Sequence, residues 1–141
     1  MVMTRQFPIP VVRMMVPDRS GKVLILRRHN ISHGGGEWCP PGGKVDYGET
    51  VEAALVKELR EETALTATAT RFLFYQDSPP FYPGGMHCLN LYFECAATGA
   101  IALNEESSDY LWIGPSDLAA CKLAFRNDLG LLRYWKEKQG G

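Results

Sequence analysis

The first third of the chain alternates short apolar runs with turn-forming residues. The segments Ile9 to Val16 and Lys22 to Leu26 are rich in aliphatic residues, and Pro17 to Gly21 between them is typical of a turn. We therefore predict two strands joined by a turn. The segment His33 to Gly48 holds six glycines and two prolines around Trp38. This composition opposes both helix and regular strand, so the segment is predicted to be a loop.

The segment from Thr50 to Thr63 is predicted to form a helix. It contains neither Gly nor Pro and is rich in Glu, Ala and Leu, which favour helical backbone. The Thr50 hydroxyl can cap the first turn, and Glu52 lies near the positive end of the helix dipole. Composition, cap and charge thus agree on the same element.

The second half of the chain is predicted to contain further strands and two helical segments. The segment Asp77 to Gly85 holds three prolines and two aromatic residues and is predicted to be a loop. The predicted strands are Arg71 to Gln76, Leu89 to Cys95 and Tyr110 to Ile113, and the predicted helices are Pro115 to Ala120 and Phe125 to Lys138. A chain of 141 residues without repeats or linkers is expected to form one domain, 1–141, with strands and helices packed as an α/β or α+β sandwich.

Charge and composition narrow the classes of partner. The 15 Lys and Arg residues nearly balance 16 Asp and Glu residues, so no net charge attracts the chain to a polynucleotide or an anionic membrane. No stretch approaches the ~20 apolar residues of a membrane span, and no signal-peptide pattern opens the chain. The four cysteines form no Cys-x-x-Cys pair and are interpreted as free thiols. A cytoplasmic protein is therefore expected.

The predicted helix places acidic side chains beside its apolar face. At about 100° per residue, Glu58 and Glu62 project next to that face, Glu61 lies just to one side, and Lys57 and Arg60 point away. Such carboxylates repel one another by about 0.2 to 0.5 kcal/mol per close pair. A divalent cation would reverse this repulsion, because Mg²⁺ takes oxygen ligands. The alternative is an ordinary solvated face with the two basic residues as counter-ions.

The sequence around this helix closely resembles the Nudix box. The segment Gly43-Lys-Val-Asp-Tyr-Gly-Glu49, seven further residues and then Lys57-Glu-Leu-Arg-Glu-Glu-Thr-Ala-Leu65 keep the family's spacing over 23 residues. The family pattern is Gly, five residues, Glu, seven residues, then Arg-Glu-U-x-Glu-Glu-x-Gly-U, where U is aliphatic. The approach Gly36-Glu-Trp-Cys-Pro-Pro-Gly-Gly43 is similar to the family as well.

The resemblance implies a fold and a metal site. The implied fold is an α/β fold, a Nudix-type α/β/α sandwich with a mixed central β-sheet. The implied cofactor is Mg²⁺, with Mn²⁺ as a substitute. The metal ligands carried over are Glu58, Glu61, Glu62 and the backbone carbonyl of Gly43.

The resemblance also implies roles in catalysis. Glu58 or Glu61 would be the base, with Glu49 and Lys57 in support. Glu106 matches a further carboxylate that many members recruit, although a plain surface loop explains it equally well. The implied reaction is hydrolysis of a diphosphate bond in a small nucleoside diphosphate-linked substrate, either a nucleoside triphosphate in the MutT-like manner or a nucleotide sugar such as ADP-ribose.

The substrate itself is not chosen by the sequence. Phe81 and Tyr82 could stack on a base or simply cover the edge of the core, and Arg27 is expected to contact the substrate. Pro80 and Tyr82 satisfy both of two family patterns that sort substrates, so those patterns do not discriminate. A monomer or a homodimer is expected.

Two departures from the family pattern open an alternative. Lys57 stands where Arg is usual and cannot offer a planar fork of donors, although its charge can still pair with Glu49. Ala64 replaces a Gly after the helix, where left-handed backbone costs a non-Gly residue about 1 kcal/mol or more. A nucleotide-binding module with decayed catalysis is therefore the rival hypothesis. An isomerase on this scaffold is disfavoured, because Cys39, the one cysteine near the box, has neighbours that indicate packing.

Overall fold

Strands dominate the fold, and two α-helices accompany them. The computed structural model describes residues 6–29 and 35–140. Within these ranges the strands are β1 Ile9–Met15, β2 Val23–Arg28, β3 Trp38–Cys39, β4 Gly42–Lys44, β5 Thr66–Ser78, β6 Cys88–Thr98 and β7 Ser107–Ile113. The helices are α1 Val51–Thr63, a short 3-10 helix Pro115–Ala120 and α2 Asn127–Gly140.

The α/β class is confirmed. The strands, however, form two sheets and not the single central sheet that was predicted. One sheet has the order β4-β1-β6-β5 and is mixed, because β1 and β6 run parallel while the other pairs are antiparallel. The other sheet has the order β3-β2-β7 and is antiparallel.

Alternation along β1 and β2 creates two core layers. Successive side chains of a strand point to opposite faces. Val12 and Met14 therefore join the cluster under α1, whereas Met15 joins the cluster under α2. The α1 layer includes Leu24, Leu26, Leu55, Leu59 and Phe93. The α2 layer includes Ile25, Phe74, Tyr92, Leu131 and Trp135. Helices thus cover both sides of the strands, as the α/β/α expectation required.

The predicted loop from His33 to Gly48 is wrong in part, because it contains β3 and β4. His33 itself lies outside the described residues. The glycines of β4 do not weaken the strand but permit it: a Cβ on Gly42 would lie 1.9 Å from the Val12 carbonyl oxygen. Close approach of two backbones, which local composition cannot reveal, explains this strand.

Other element bounds differ from prediction for similar reasons. β5 spans 13 residues, more than twice the predicted Arg71 to Gln76, because it is an edge strand that pairs along β6 while exposing most of its side chains. Its apolar signal is therefore weak. The loop predicted from Asp77 consequently begins only after Ser78. The segment from Pro115 is a 3-10 helix.

The cysteines agree with the expectation of free thiols. All four cysteines are free thiols, and three of them are buried. In the described ranges no helix combines the length and the apolar character that crossing a membrane requires.

The end of α1 carries the strain expected from Ala64. This residue adopts left-handed backbone with φ of 65°, and its N–H donates to the Arg60 carbonyl at 2.9 Å. Nothing is rearranged to avoid the conformation, so the side chain is accommodated at an energetic cost.

Replacing Ala64 with Gly should therefore stabilise the protein. We expect Ala64→Gly to raise the free energy of unfolding by roughly 0.5 to 1 kcal/mol, since relief of left-handed strain exceeds the added entropy of the unfolded chain. Urea denaturation measures it. The matched control is Ala53→Gly, at an exposed helical position, which should cost about 1 kcal/mol. Equal losses in both variants would contradict this reading of the strain.

Candidate functional site

Helix α1 begins at a well-formed cap that fixes its orientation. The Thr50 hydroxyl accepts a hydrogen bond from the Ala53 N–H at 3.1 Å, as the sequence predicted. Leu55 and Leu59 anchor the inner face of the helix and are fully buried. One consequence is that Glu58 and Glu62, which are one turn apart, face strand β4 and not bulk solvent.

Glu62 is a buried carboxyl group on this inner side of the helix. It is 7% exposed, and its Oε1 accepts a hydrogen bond from the Gly42 N–H at 3.0 Å. Burial raises its pKa to about 8, although the Gly42 hydrogen bond and the charge of Arg13 act in the opposite direction. The nearby charges of Glu58 and Glu106 raise the pKa further. Proton binding near neutral pH thus follows from desolvation.

Glu58 lies one turn earlier, against the second glycine of β4. A Cβ on Gly43 would lie 2.5 Å from the Glu58 carboxyl carbon, so the carboxylate occupies space that only a glycine leaves open. Burial raises the pKa of Glu58 to about 7, and the charges of Glu61 and Glu106 add to the rise while Lys57 lowers it. Gly43 therefore has a physical role here: it admits a carboxylate beside the backbone.

These carboxyl groups line a cavity of about 360 Å³. Its acidic lining residues are Glu58, Glu62, Glu106 and Asp46, and Glu106 is solvent-exposed on its loop. Its basic and aromatic lining residues are Arg13, Arg28, Lys44 and Phe125. The cavity thus combines oxygen ligands suited to a hard cation with donors suited to an anion or a polar group.

The ion pair foreseen between Lys57 and Glu49 is present. Lys57 Nζ lies 2.8 Å from Glu49 Oε2, 3.0 Å from Asp46 Oδ2 and 3.8 Å from Glu58 Oε1. Glu49 also accepts a hydrogen bond from the Asp46 N–H at 3.0 Å. These contacts lower the pKa of Glu49 and raise that of Lys57. The network ties the loop before α1 to the helix, and catalytic roles for its members stay predictions.

Glu61, the third predicted ligand, is exposed and does not line the cavity. Its charge nevertheless acts on Glu58. In the described part of the chain, no three acidic, His or Cys side chains are gathered closely enough to form a ready metal site. The metal role of Glu61 therefore stays a prediction, and it requires the Glu61 side chain to move toward Glu58 and Glu62. Movement of the Glu106 side chain would instead supply a third carboxylate without Glu61.

The predicted substrate residues are divided between two places. Phe81 and Tyr82 are largely exposed and line a second cavity of about 620 Å³, which shares Met86 and Phe125 with the first. Arg27, in contrast, lines neither cavity, and its Nε donates to the Gly36 carbonyl at 3.3 Å. Because side chains alternate along β2, it is the neighbouring Arg28 that faces the site.

The sequence analysis did not identify Arg13, Arg28 and Phe125, which are basic and aromatic residues of the cavity lining. Arg13 interrupts an otherwise apolar strand, and a charge within such a run was a signal that could have identified it. Phe125 was assigned to the start of a helix, but Phe125 and Arg126 have φ values of 52° and 59°, so α2 begins only at Asn127. Two successive left-handed non-Gly residues beside a cavity are a feature found at functional sites.

Comparison with known proteins agrees with this architecture. The model of the NUDIX domain matches residues 8–134, and the chain belongs to the Nudix family. A nucleoside triphosphatase, NudI, of Escherichia coli O139:H28 is 36% identical over 92 residues, which are 59% of this chain and 65% of that protein. The chain thus matches slightly less than two thirds of that relative's length.

Two solved structures resemble the fold over nearly its whole length. A MutT protein from Methanosarcina mazei Go1 has a TM-score of 0.82 at 22% identity, covering 96% of this chain and 99% of that chain. The NUDIX domain of Shewanella oneidensis NrtR, solved in complex with ADP ribose, has a TM-score of 0.70 at 23% identity, covering 96% and 90%. At these identities the likeness concerns the fold alone.

The raised pKa of Glu62 should make metal-free protein less stable as pH rises. Its folded-state pKa of about 8 exceeds its ordinary value of 4.5, so the folded state binds more protons between these values. Stability should then fall from about pH 5 to pH 8. Thermal melts in chelator should show a flatter profile for Glu62→Gln than for wild type. An unchanged profile in Glu62→Gln, with Glu52→Gln as the exposed control, would contradict this assignment.

Proposed function

We propose that this protein hydrolyses a diphosphate bond in a small nucleoside diphosphate-linked substrate, in a reaction that depends on Mg²⁺ and accepts Mn²⁺. The observation that carries the proposal is the pair Glu58 and Glu62, half-buried and buried respectively, in a cavity that basic residues also line. Membership of the Nudix family supports the same chemistry.

The carboxyl groups fit a hard divalent cation. Glu58, Glu62 and the Gly43 carbonyl would hold it, together with Glu61 or Glu106. Burial and mutual repulsion raise the pKa of both Glu58 and Glu62, which is a cost that a bound cation removes. When bound, the cation withdraws charge from phosphate oxygens.

The remaining roles follow from position. Glu58, which lines the cavity, is one candidate to accept a proton from an attacking water, and Glu61 is the other candidate base. Lys57 and Glu49 hold the loop and helix in register, so we propose that they position the glutamates and do not touch the substrate. Arg28 offers positive charge in the same cavity.

The nature of the linked group is proposed only as a class. The relative named as a nucleoside triphosphatase supports a triphosphate substrate, and the ADP-ribose complex of the structural neighbour supports a nucleotide sugar. Phe81 and Tyr82, beside Phe125, provide aromatic surface for a base or sugar in the second cavity. Free thiols in all four cysteines support a reducing compartment such as the cytoplasm.

Two observations count against the rival hypothesis of a nucleotide-binding module with decayed catalysis. Lys57 retains the ion pair with Glu49, and Ala64 retains the left-handed helix end that the family's Gly would provide. Neither departure displaces Glu58 or Glu62. Both remain at the cavity.

Removing the carboxylate of Glu58 should abolish most turnover. We expect Glu58→Gln to lower kcat by about 100-fold or more with each nucleoside triphosphate or nucleotide sugar that the wild type hydrolyses with Mg²⁺. Identification of both products by chromatography gives the bond that is cleaved. Glu52→Gln, an exposed change on the same helix, should retain wild-type turnover. Wild-type protein that releases no product from the whole panel would overturn the proposal.

Metal binding should release protons near neutral pH. Because Glu58 and Glu62 have raised pKa values, a cation that binds their ionised forms must displace protons. Calorimetric titration of chelator-treated protein with Mg²⁺ at pH 7, in two buffers of different ionisation enthalpy, should show this release, and Glu62→Gln should reduce it. Binding enthalpies that are the same in both buffers would count against the proposed ligands.

A further inference from the structure

Arg13 is a buried cation whose local partners do not satisfy it. It lies in the middle of β1 and is 4% exposed. Its Nη1 donates only weakly, to Cys39 Sγ at 3.7 Å and to the Pro40 carbonyl at 3.5 Å, and its Nε has no hydrogen-bond partner. Among residues 6–29 and 35–140 no carboxylate lies within ion-pair distance of it. Burial of a charged, unsatisfied donor is costly unless a ligand completes the hydrogen bonds.

The surroundings of Arg13 suit a planar group. Arg13 lines the first cavity together with Val11, Cys39, Met86 and Cys88, and charged residues that include Arg28 and Glu62 line the same cavity. The Phe125 ring lies 5.9 Å from the Arg13 guanidinium carbon and 4.8 Å from that of Arg28. The aromatic ring and the apolar side chains offer a surface on which a flat ring can pack, whereas the carboxylates with their proposed cation serve a phosphate better.

The Phe125 ring is held in place by a strained backbone corner. The Phe125 carbonyl accepts from Asn90 Nδ2 at 3.4 Å, and the Arg126 carbonyl accepts from Gln76 Nε2 at 2.8 Å. Asn90 and Gln76 are register partners on β6 and β5. Two amide side chains on adjacent strands thus fix two successive left-handed residues. Such strain persists where the surrounding structure determines it.

We propose that Arg13 determines base specificity by donating hydrogen bonds to a carbonyl-bearing edge of the substrate's nucleobase. The inference rests on the proposed function, which places the diphosphate beside the carboxylates. A guanidinium only donates, so it can pair with a carbonyl oxygen and an adjacent ring nitrogen but not with an exocyclic amine. Arg13 therefore selects guanine, whose O6 and N7 are neighbouring acceptors, over adenine, whose N6 amine is a donor at the position of O6.

The test compares two nucleotides that differ mainly in this group. We expect wild-type protein to hydrolyse GTP in preference to ATP, with a ratio of kcat/KM values of about 10 to 100. Arg13→Met should bring this ratio close to one. Arg13→Lys should also lose most of the preference, because an ammonium group lacks the planar fork. Arg19→Met, a matched change in an exposed turn, should leave the ratio unaltered.

A second readout does not depend on turnover. In chelator, calorimetry should show tighter binding of GMP than of AMP, and Arg13→Lys should equalise the two affinities. If the wild-type protein hydrolyses no nucleotide but still binds GMP more tightly than AMP, the proposed function is rejected and this inference is kept. Thermal melts establish which variants fold. A ratio of kcat/KM values near one in the wild type would overturn the role of Arg13. So would a folded Arg13 variant in which kcat/KM falls equally for all nucleotides.

Discussion

The whole site depends on the close contact between helix α1 and the glycines of β4. Without a side chain at Gly42, β4 can approach β1; without one at Gly43, the Glu58 carboxylate can lie against the backbone. The same contact supplies the Gly42 N–H that receives Glu62. Because this packing removes two carboxyl groups from water, it raises their pKa values and leaves them incompletely satisfied. Burial of these carboxyl groups lowers the stability of the protein and creates a place where positive charge is favoured.

The cavity combines groups of different chemistry. Carboxylates from α1 and from the Glu106 loop share its lining with guanidinium groups and an aromatic ring that other elements supply. A substrate with a phosphate end and a planar end matches such an arrangement better than a symmetric anion does. The strained corner at Phe125 and Arg126 links the two cavities, since Arg126 also lies over the Phe81 ring at 4.2 Å and donates to the Pro79 carbonyl at 2.8 Å.

Features encoded by near neighbours in the chain could be predicted from the sequence. Helix α1 and its Thr50 cap follow from local composition and spacing. The strained Ala64 and the pairing of Lys57 with Glu49 were expected from the resemblance to the Nudix box. Features made by distant segments could not. The β4 strand exists because β1 approaches it, and Arg28 replaces Arg27 at the site because strand register decides which side chain points inward. Phe125 escaped prediction because its backbone departs from helix only under tertiary contacts.

The central claim is that Glu58 and Glu62 together hold a cation which a diphosphate shares. The most direct measurement is the anomalous X-ray signal from crystals grown with Mn²⁺ and a nucleotide whose bridging oxygen is replaced by a methylene group. This account expects a metal peak bonded to oxygens of Glu58 and Glu62 and to the phosphates, with Glu61 or Glu106 turned toward it. A folded protein that binds the nucleotide while Mn²⁺ lies elsewhere, or is absent, would contradict it.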